Sequence, residues 1–114
     1  MQNNTPLLAL TVVATAALTA QRFVTATGAQ TSAGGNAIGV ARYSGAIGDK
    51  VPCDALGTAY VEAGAAIAAG AQVGADSSGR AITWVSGAIL GRVVPNDPGA
   101  SAAGQFVETL LIPN

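Results

Sequence analysis

The chain has no histidine, a single cysteine, two Phe, two Tyr and one Trp. Lacking histidine, it lacks the side chain most used to move protons near neutral pH and the commonest metal ligand. Ser-His-Asp and Cys-His arrangements are excluded outright. Cys53 has no second cysteine to pair with inside the chain, which fits a reducing compartment and a role as a small buried hydrophobe. Charge is scarce as well, at 10% of 114 residues against about 25% in an average domain. Arg22, Arg42, Lys50, Arg80 and Arg92 are scattered among six carboxylates, for a net charge of −1. No basic run exists, so the electrostatic footprint of nucleic-acid binding is missing.

A long hydrophobic run is also lacking. Leu7 to Ala20, LLALTVVATAALTA, has 14 residues interrupted by three threonines. A spanning helix needs about 20 apolar residues, so no membrane segment is expected. Only Gln2, Asn3 and Asn4 precede it closely, without the Lys or Arg that opens a secretory signal.

What is abundant is alanine, glycine and valine. Hydrophobic residues make up 50% of the chain, but a buried alanine removes far less apolar area than a leucine or an aromatic. A chain of this length forms one domain with one thin core. A thin core under a charge-poor surface predicts that another protein covers part of the outside, as an obligate partner or as further copies of the chain.

Val, Thr, Ile and Ala runs alternate with Gly, Asp, Asn and Ser clusters every 8 to 12 residues or so, the pattern of an all-β barrel or sandwich. The expected fold is therefore a small single-domain β-barrel or sandwich with glycine-rich turns. Strands are expected at Thr11–Ala14, Arg22–Thr27, Ala37–Arg42, Lys50–Cys53, Thr58–Glu62, Gln72–Ala75, Ala81–Val85, Ala88–Val93 and Gln105–Leu111. The polar start, MQNNTP, reads as an extended arm, and the division expected is a flexible arm over residues 1–10 and a β-rich domain over 11–114. Asp76-Ser77-Ser78-Gly79 predicts a hairpin in which Asp76 bonds back to the backbone and Gly79 takes positive φ. Ala63–Ala71 competes as a helix, but Gly64 and Gly70 each cost about 1 kcal/mol there, which favours a loop with one helical turn. Ala14–Gln21 carries the same ambiguity and reads as a strand end and turn. One echo runs through the text: Ile38-Gly39-Val40-Ala41 leads to Gly48-Asp49-Lys50-Val51, and Leu90-Gly91-Arg92-Val93 leads to Gly104-Gln105-Phe106-Val107. The pattern reads as if one supersecondary unit were used twice, which suits a small barrel.

Candidate chemistry is thin. Asp49 and Asp54 fit backbone caps better than a carboxylate pair, and calcium would need a denser run of oxygens. The glycine-rich TSAGGNAIG at residues 31–39 lacks the Gly-Lys-Ser/Thr ending of a phosphate loop. Asp49-Lys50-Val51 bears some likeness to the modified lysine of lipoyl-like carrier domains, without their acidic or methionine neighbours. Trp84 and Phe23 carry most of the aromatic area and read as core or interface anchors. Trp84 with Arg80 or Arg92 is the expected subunit contact, since Trp and Arg dominate binding energy at interfaces.

The succession Ala17-Leu18-Thr19-Ala20-Gln21-Arg22-Phe23-Val24, Gly28-Ala29 and Ala37-Ile38-Gly39-Val40-Ala41 resembles the opening of the capsid cement, or head decoration, proteins of tailed bacteriophages. The likeness continues through Gly57-Thr58-Ala59, Val61-Glu62-Ala63-Gly64, the Gly70-to-Ala81 hairpin and Ile89-Leu90-Gly91-Arg92-Val93. It rests on order and spacing, because each element is made of common small residues. The resemblance implies a β-rich structural protein on the capsid exterior, assembled in the host cytoplasm. It would bind the expanded head, often as a trimer, and clamp neighbouring major capsid subunits. It implies no enzyme activity, no cofactor and no metal. By the same analogy Gln2, Asn3, Asn4, Thr5, Pro6, Leu7 and Leu8 are the expected capsid contacts. The alternative is a virion module that displays loops to a receptor or glycan, for which Trp84 with Tyr43 or Tyr60 would form the platform.

Overall fold

The computed structural model describes residues 6–94 and 97–112. Among them are eight strands and no helix: β1 Pro6–Val13, β2 Phe23–Val24, β3 Gly39–Ala41, β4 Lys50–Glu62, β5 Gln72–Ala75, β6 Ala81–Thr83, β7 Gly91–Val93 and β8 Phe106–Leu111. Every pairing between them is antiparallel, in the order β2-β3-β4-β8-β7-β5-β6, with β1 added on β4. A parallel bridge from Ala63 to Ala81 brings the β6 end back to the end of β4, which leaves a nearly closed barrel.

Each of the nine expected segments contains strand residues, though Arg22–Thr27 keeps only Phe23–Val24 and Ala88–Val93 only Gly91–Val93, and three expectations need correction. Lys50–Cys53 and Thr58–Glu62 are one continuous strand of 13 residues, bent at Gly57 with φ 89°. The bend lets one strand serve two partners in turn, β1 and β3 before it and β8 after it. The first strand starts at Pro6 rather than Thr11, so residues 6–10 of the expected arm pair with β4. Gln2, Asn3, Asn4 and Thr5 lie outside the described residues. The expected helical turn within Ala63–Ala71 is absent too; a bridge from Ile67 to Ala100 pins that segment as irregular chain.

The hairpin at residues 76–80 forms as its residues dictate. Asp76 Oδ1 accepts from the Ser78 and Arg80 amides at 2.8 and 2.9 Å, and Gly79 takes φ 74°. Its tip reaches across to β2, where the Phe23 amide bonds Gly79 O at 2.8 Å.

The twofold echo extends much further than the glycine pattern. In the first half Ala14 N bonds Asp49 O, Gly48 N bonds Ala14 O, and Leu18 and Gly45 exchange both amide bonds. In the second half Ala63 N bonds Gln105 O, Gly104 N bonds Ala63 O, and Ile67 and Ala100 exchange both. Strand register repeats as well, with Val12↔Val51 matched by Val61↔Val107 and Ala41↔Cys53 by Val93↔Thr109. Gly39 and Gly91 each press against a carbonyl of the partner strand, so that an added Cβ would lie 2.3 Å from Asp54 O and 2.5 Å from Leu110 O. Even the tight turns agree: Gln21 at φ 66° stands where the second half has Gly70 at φ 73°. The domain is thus two copies of one unit, and β4 is the last strand of the first and the first strand of the second.

Each half has its own apolar cluster. Val12, Ala14, Leu18, Val24, Ala41, Val51 and Cys53 form the first. The second, around Val61, Val73, Val93 and Val107, also takes in Phe23 from the first half. Burial, then the neighbouring Asp54 carboxylate, pushes the Cys53 thiol up to about 11, which makes it inert packing.

Candidate functional site

Two surfaces stand out, one on each half. The first is β1. Along it Leu7, Leu8 and Leu10 are exposed, at 78%, 42% and 37%. Among the described residues no strand pairs with its second edge. The segment up to Gln21 carries no charged side chain. Natural sheet edges are normally blunted by charge, proline or a bulge. Here Pro6 and the register shifts around Leu8 stand only at the start of the strand. Beside the second part of β1 runs a groove of about 500 Å³ lined by Leu10, Thr11, Val12, Val13, Thr15, Ala26, Thr27 and Ile38.

The second surface is the outer face of β8, β7, β5 and β6. Register alone aligns Thr58, Leu110, Arg92 and Gln72 across β4, β8, β7 and β5. The Trp84 amide, bonded to Gln72 O at 2.9 Å, extends the row by one. Trp84 is half-buried rather than core, with its indole N–H on Gly87 O and its ring edge over Gly74. Arg92 is exposed and donates to Gly70 O at 2.9 Å. Phe106 and Ile112, at 44% and 43% exposure, share this face of β8 with Leu110 at 51%. Sequence reasoning named Trp84 and Arg92 but missed these β8 residues, whose alternation with buried Val107 and Leu111 was the available signal.

Arg80 lies apart from that row, at the base of the hairpin. It pairs with Asp76 at 3.2 Å and Glu62 at 3.8 Å, and Glu62 also holds Arg22 at 3.2 Å. The network ties the hairpin to β4 and to the entry of β2. Asp49 does cap a turn, accepting from Ala46 N at 2.9 Å. Asp54, expected to do the same, is instead buried in β4 and ion-paired with Arg42.

Among the described residues no three His, Cys, Asp or Glu gather as metal ligands. Lys50 opens β4 opposite Val13, one residue beyond the turn rather than at its tip. Neither Tyr43 nor Tyr60 lines the cleft beside Trp84, so the structure does not assemble the sugar platform considered above.

The chain is thus a small, twice-built β-barrel with exposed apolar residues on β1 and β8. The phage cement protein family model matches residues 1–109, and the chain belongs to that family. A solved structure, the N base of the head fiber protein gp8.5 of bacteriophage phi29, shares the fold with TM-score 0.66 at 20% identity, over 92% of this chain and 93% of that one. No curated protein matches. The family makes the chain a structural virion component that associates with the phage capsid, and it points to a non-enzymatic role.

Proposed function

We propose that the chain binds the outer surface of the expanded phage head and clamps neighbouring major capsid subunits against the pressure of packaged DNA. The observation that carries this reading is the charge-free N-terminal segment leading into a strand whose leucines are exposed. On a free protein such an edge invites indiscriminate pairing; on a lattice component it is a contact waiting for its partner. Gln2, Asn3, Asn4, Thr5, Pro6, Leu7 and Leu8 then meet the shell, and the Trp84–Arg92 face joins copies of the chain, with a trimer as the favoured closed assembly. Arg80 stabilises the subunit from within.

The clamp works by linkage. A protein that binds only the expanded lattice stabilises it by about 2.7 kcal/mol per site when present at a hundred times its Kd. Heating expanded heads with and without saturating protein tests the clamp: saturation is expected to raise the disruption temperature. Heads that bind the protein yet break at the same temperature would reduce it to a passive coat.

A further inference from the structure

The two halves of the domain differ in one respect that the repeat makes visible. In the second half, the strand equivalent to β1 is the Thr58–Glu62 part of β4, and its outer edge is covered by the first half. Glu62 N donates to Gln21 O at 2.8 Å, Arg22 pairs with the Glu62 carboxylate, and Phe23 belongs to the second-half core. The corresponding edge of β1 is met only at its end, where the backbone of Gly28 lies against Val13 O and accepts from Thr15 N; among the described residues no carbonyl meets the Val13 amide as Gln21 O meets that of Glu62. Leu10 is 37% exposed where its counterpart Ala59 is 1% exposed, and Val13 is exposed where Glu62 is half-buried. Ala14 N bonds inward to Asp49 O, so the alternation of an antiparallel ladder turns the Val13 and Thr11 amides outward. They face the groove.

What covers that edge in the second half is the turn Gln21-Arg22-Phe23. Its counterpart is Gly70-Ala71-Gln72, which lies beside Trp84 and Arg92 on the face described above. The two sets of residues differ in a matched way. Where Arg22 meets Glu62 within the chain, Ala71 would meet Val13, so both charges are replaced together. Where Phe23 enters an apolar core, Gln72 would enter a groove whose lining mixes Thr11, Thr15 and Thr27 with Leu10, Val13 and Ile38.

We propose that copies of the chain associate head to tail, the Gly70–Gln72 turn of one covering the Leu10–Val13 groove of the next. The packing that joins the two halves within a chain is thereby repeated between chains. Such a contact is heterologous, with different surfaces on the two partners; it makes a ring when its rotation closes, as the trimer proposed above requires, and an open filament otherwise. The inference deepens the self-association just proposed by naming the complementary surface, and it leaves Leu7 and Leu8 to the shell.

The test is disulfide trapping between Val13→Cys and Ala71→Cys chains in a Cys53→Ala background, in solution and on expanded heads. Mixed chains are expected to cross-link, each variant alone to remain uncross-linked, and the doubly substituted chain to yield closed multimers. Cross-linking of Val13→Cys with itself would establish a two-fold contact and overturn the proposal, and so would no cross-link in either setting. A second pair of variants reads the same contact through charge. Val13→Glu is expected to weaken association at least tenfold, and adding Ala71→Arg to restore it; a double variant as weak as the single one contradicts the pairing. Sedimentation of each variant with heads is scored separately, so loss of shell binding and loss of self-association remain distinct results.

Discussion

Replacing Asp76 by alanine and by asparagine separates the two tasks of that carboxylate. Oδ1 accepts from two backbone amides, Ser78 and Arg80, and Oδ2 pairs with Arg80 Nε. Asparagine keeps the Oδ1 acceptor and loses only the ion pair, which in a partly exposed site contributes about 0.5 kcal/mol. Alanine loses everything, and the two amides at about 0.5–1.5 kcal/mol each bring its cost to roughly 2 kcal/mol. For a domain of this size about 4 °C of Tm accompanies each kcal/mol, so the expected falls are about 8 °C for Asp76→Ala and about 2 °C for Asp76→Asn. Thermal unfolding followed by far-UV circular dichroism measures both. Equal falls would mean that charge rather than turn geometry holds the hairpin. No fall in either would mean that Gly79 and the strand pairing are sufficient without the side chain.

Gln21→Gly should stabilise the chain by about 0.5–1 kcal/mol in denaturant melts, because Gln21 holds the left-handed conformation that the second half gives to Gly70; a loss of stability would show that the Gln21 side chain has a role of its own. The Cys53 thiol keeps its proton up to about 11 when folded, against an ordinary 9.0. Its contribution to stability is therefore intact below pH 9 and declines as pH rises toward 11. The stability of the wild type relative to Cys53→Ala should fall across that window, and a flat difference would contradict the burial. Leu110→Lys is expected to leave Tm within about 2 °C, since Leu110 is exposed, while reducing the mass seen by light scattering. An unchanged mass would remove the β8 face from self-association. Deleting Gln2 to Pro6 should weaken shell binding without unfolding the domain, and unchanged binding would remove those residues from the contact.

Much of the fold was legible because it is written locally. Alternating Val and Ala mark the strands, and Asp76 with Gly79 marks its hairpin through bonds spanning four residues at most. The continuity of β4 was harder to see, because Gly57 reads equally as a break and as a bend. Only its partners, β1 and β3 on one side of it and β8 on the other, decide between the two. The duplication was half visible. The glycine-valine echo was noted, yet the closer match of Val12–Gln21, VVATAALTAQ, to Val61–Gly70, VEAGAAIAAG, lay hidden in segments that alanine makes look helical. Trp84 and Arg92 could be named as candidate contacts from their type alone. That they share one row with Leu110, and that Arg80 does not, depends on pairings between strands distant in sequence, which no local pattern records.

The central claim is selective binding to the expanded shell, and co-sedimentation tests it most directly. Purified protein is mixed with heads of the source phage that lack it, either compact precursor shells or expanded ones, and the bound fraction is measured against concentration. Saturable binding to expanded shells alone, at a fixed number of copies per head, is the expected result. Equal binding to both forms, or to neither, would contradict it.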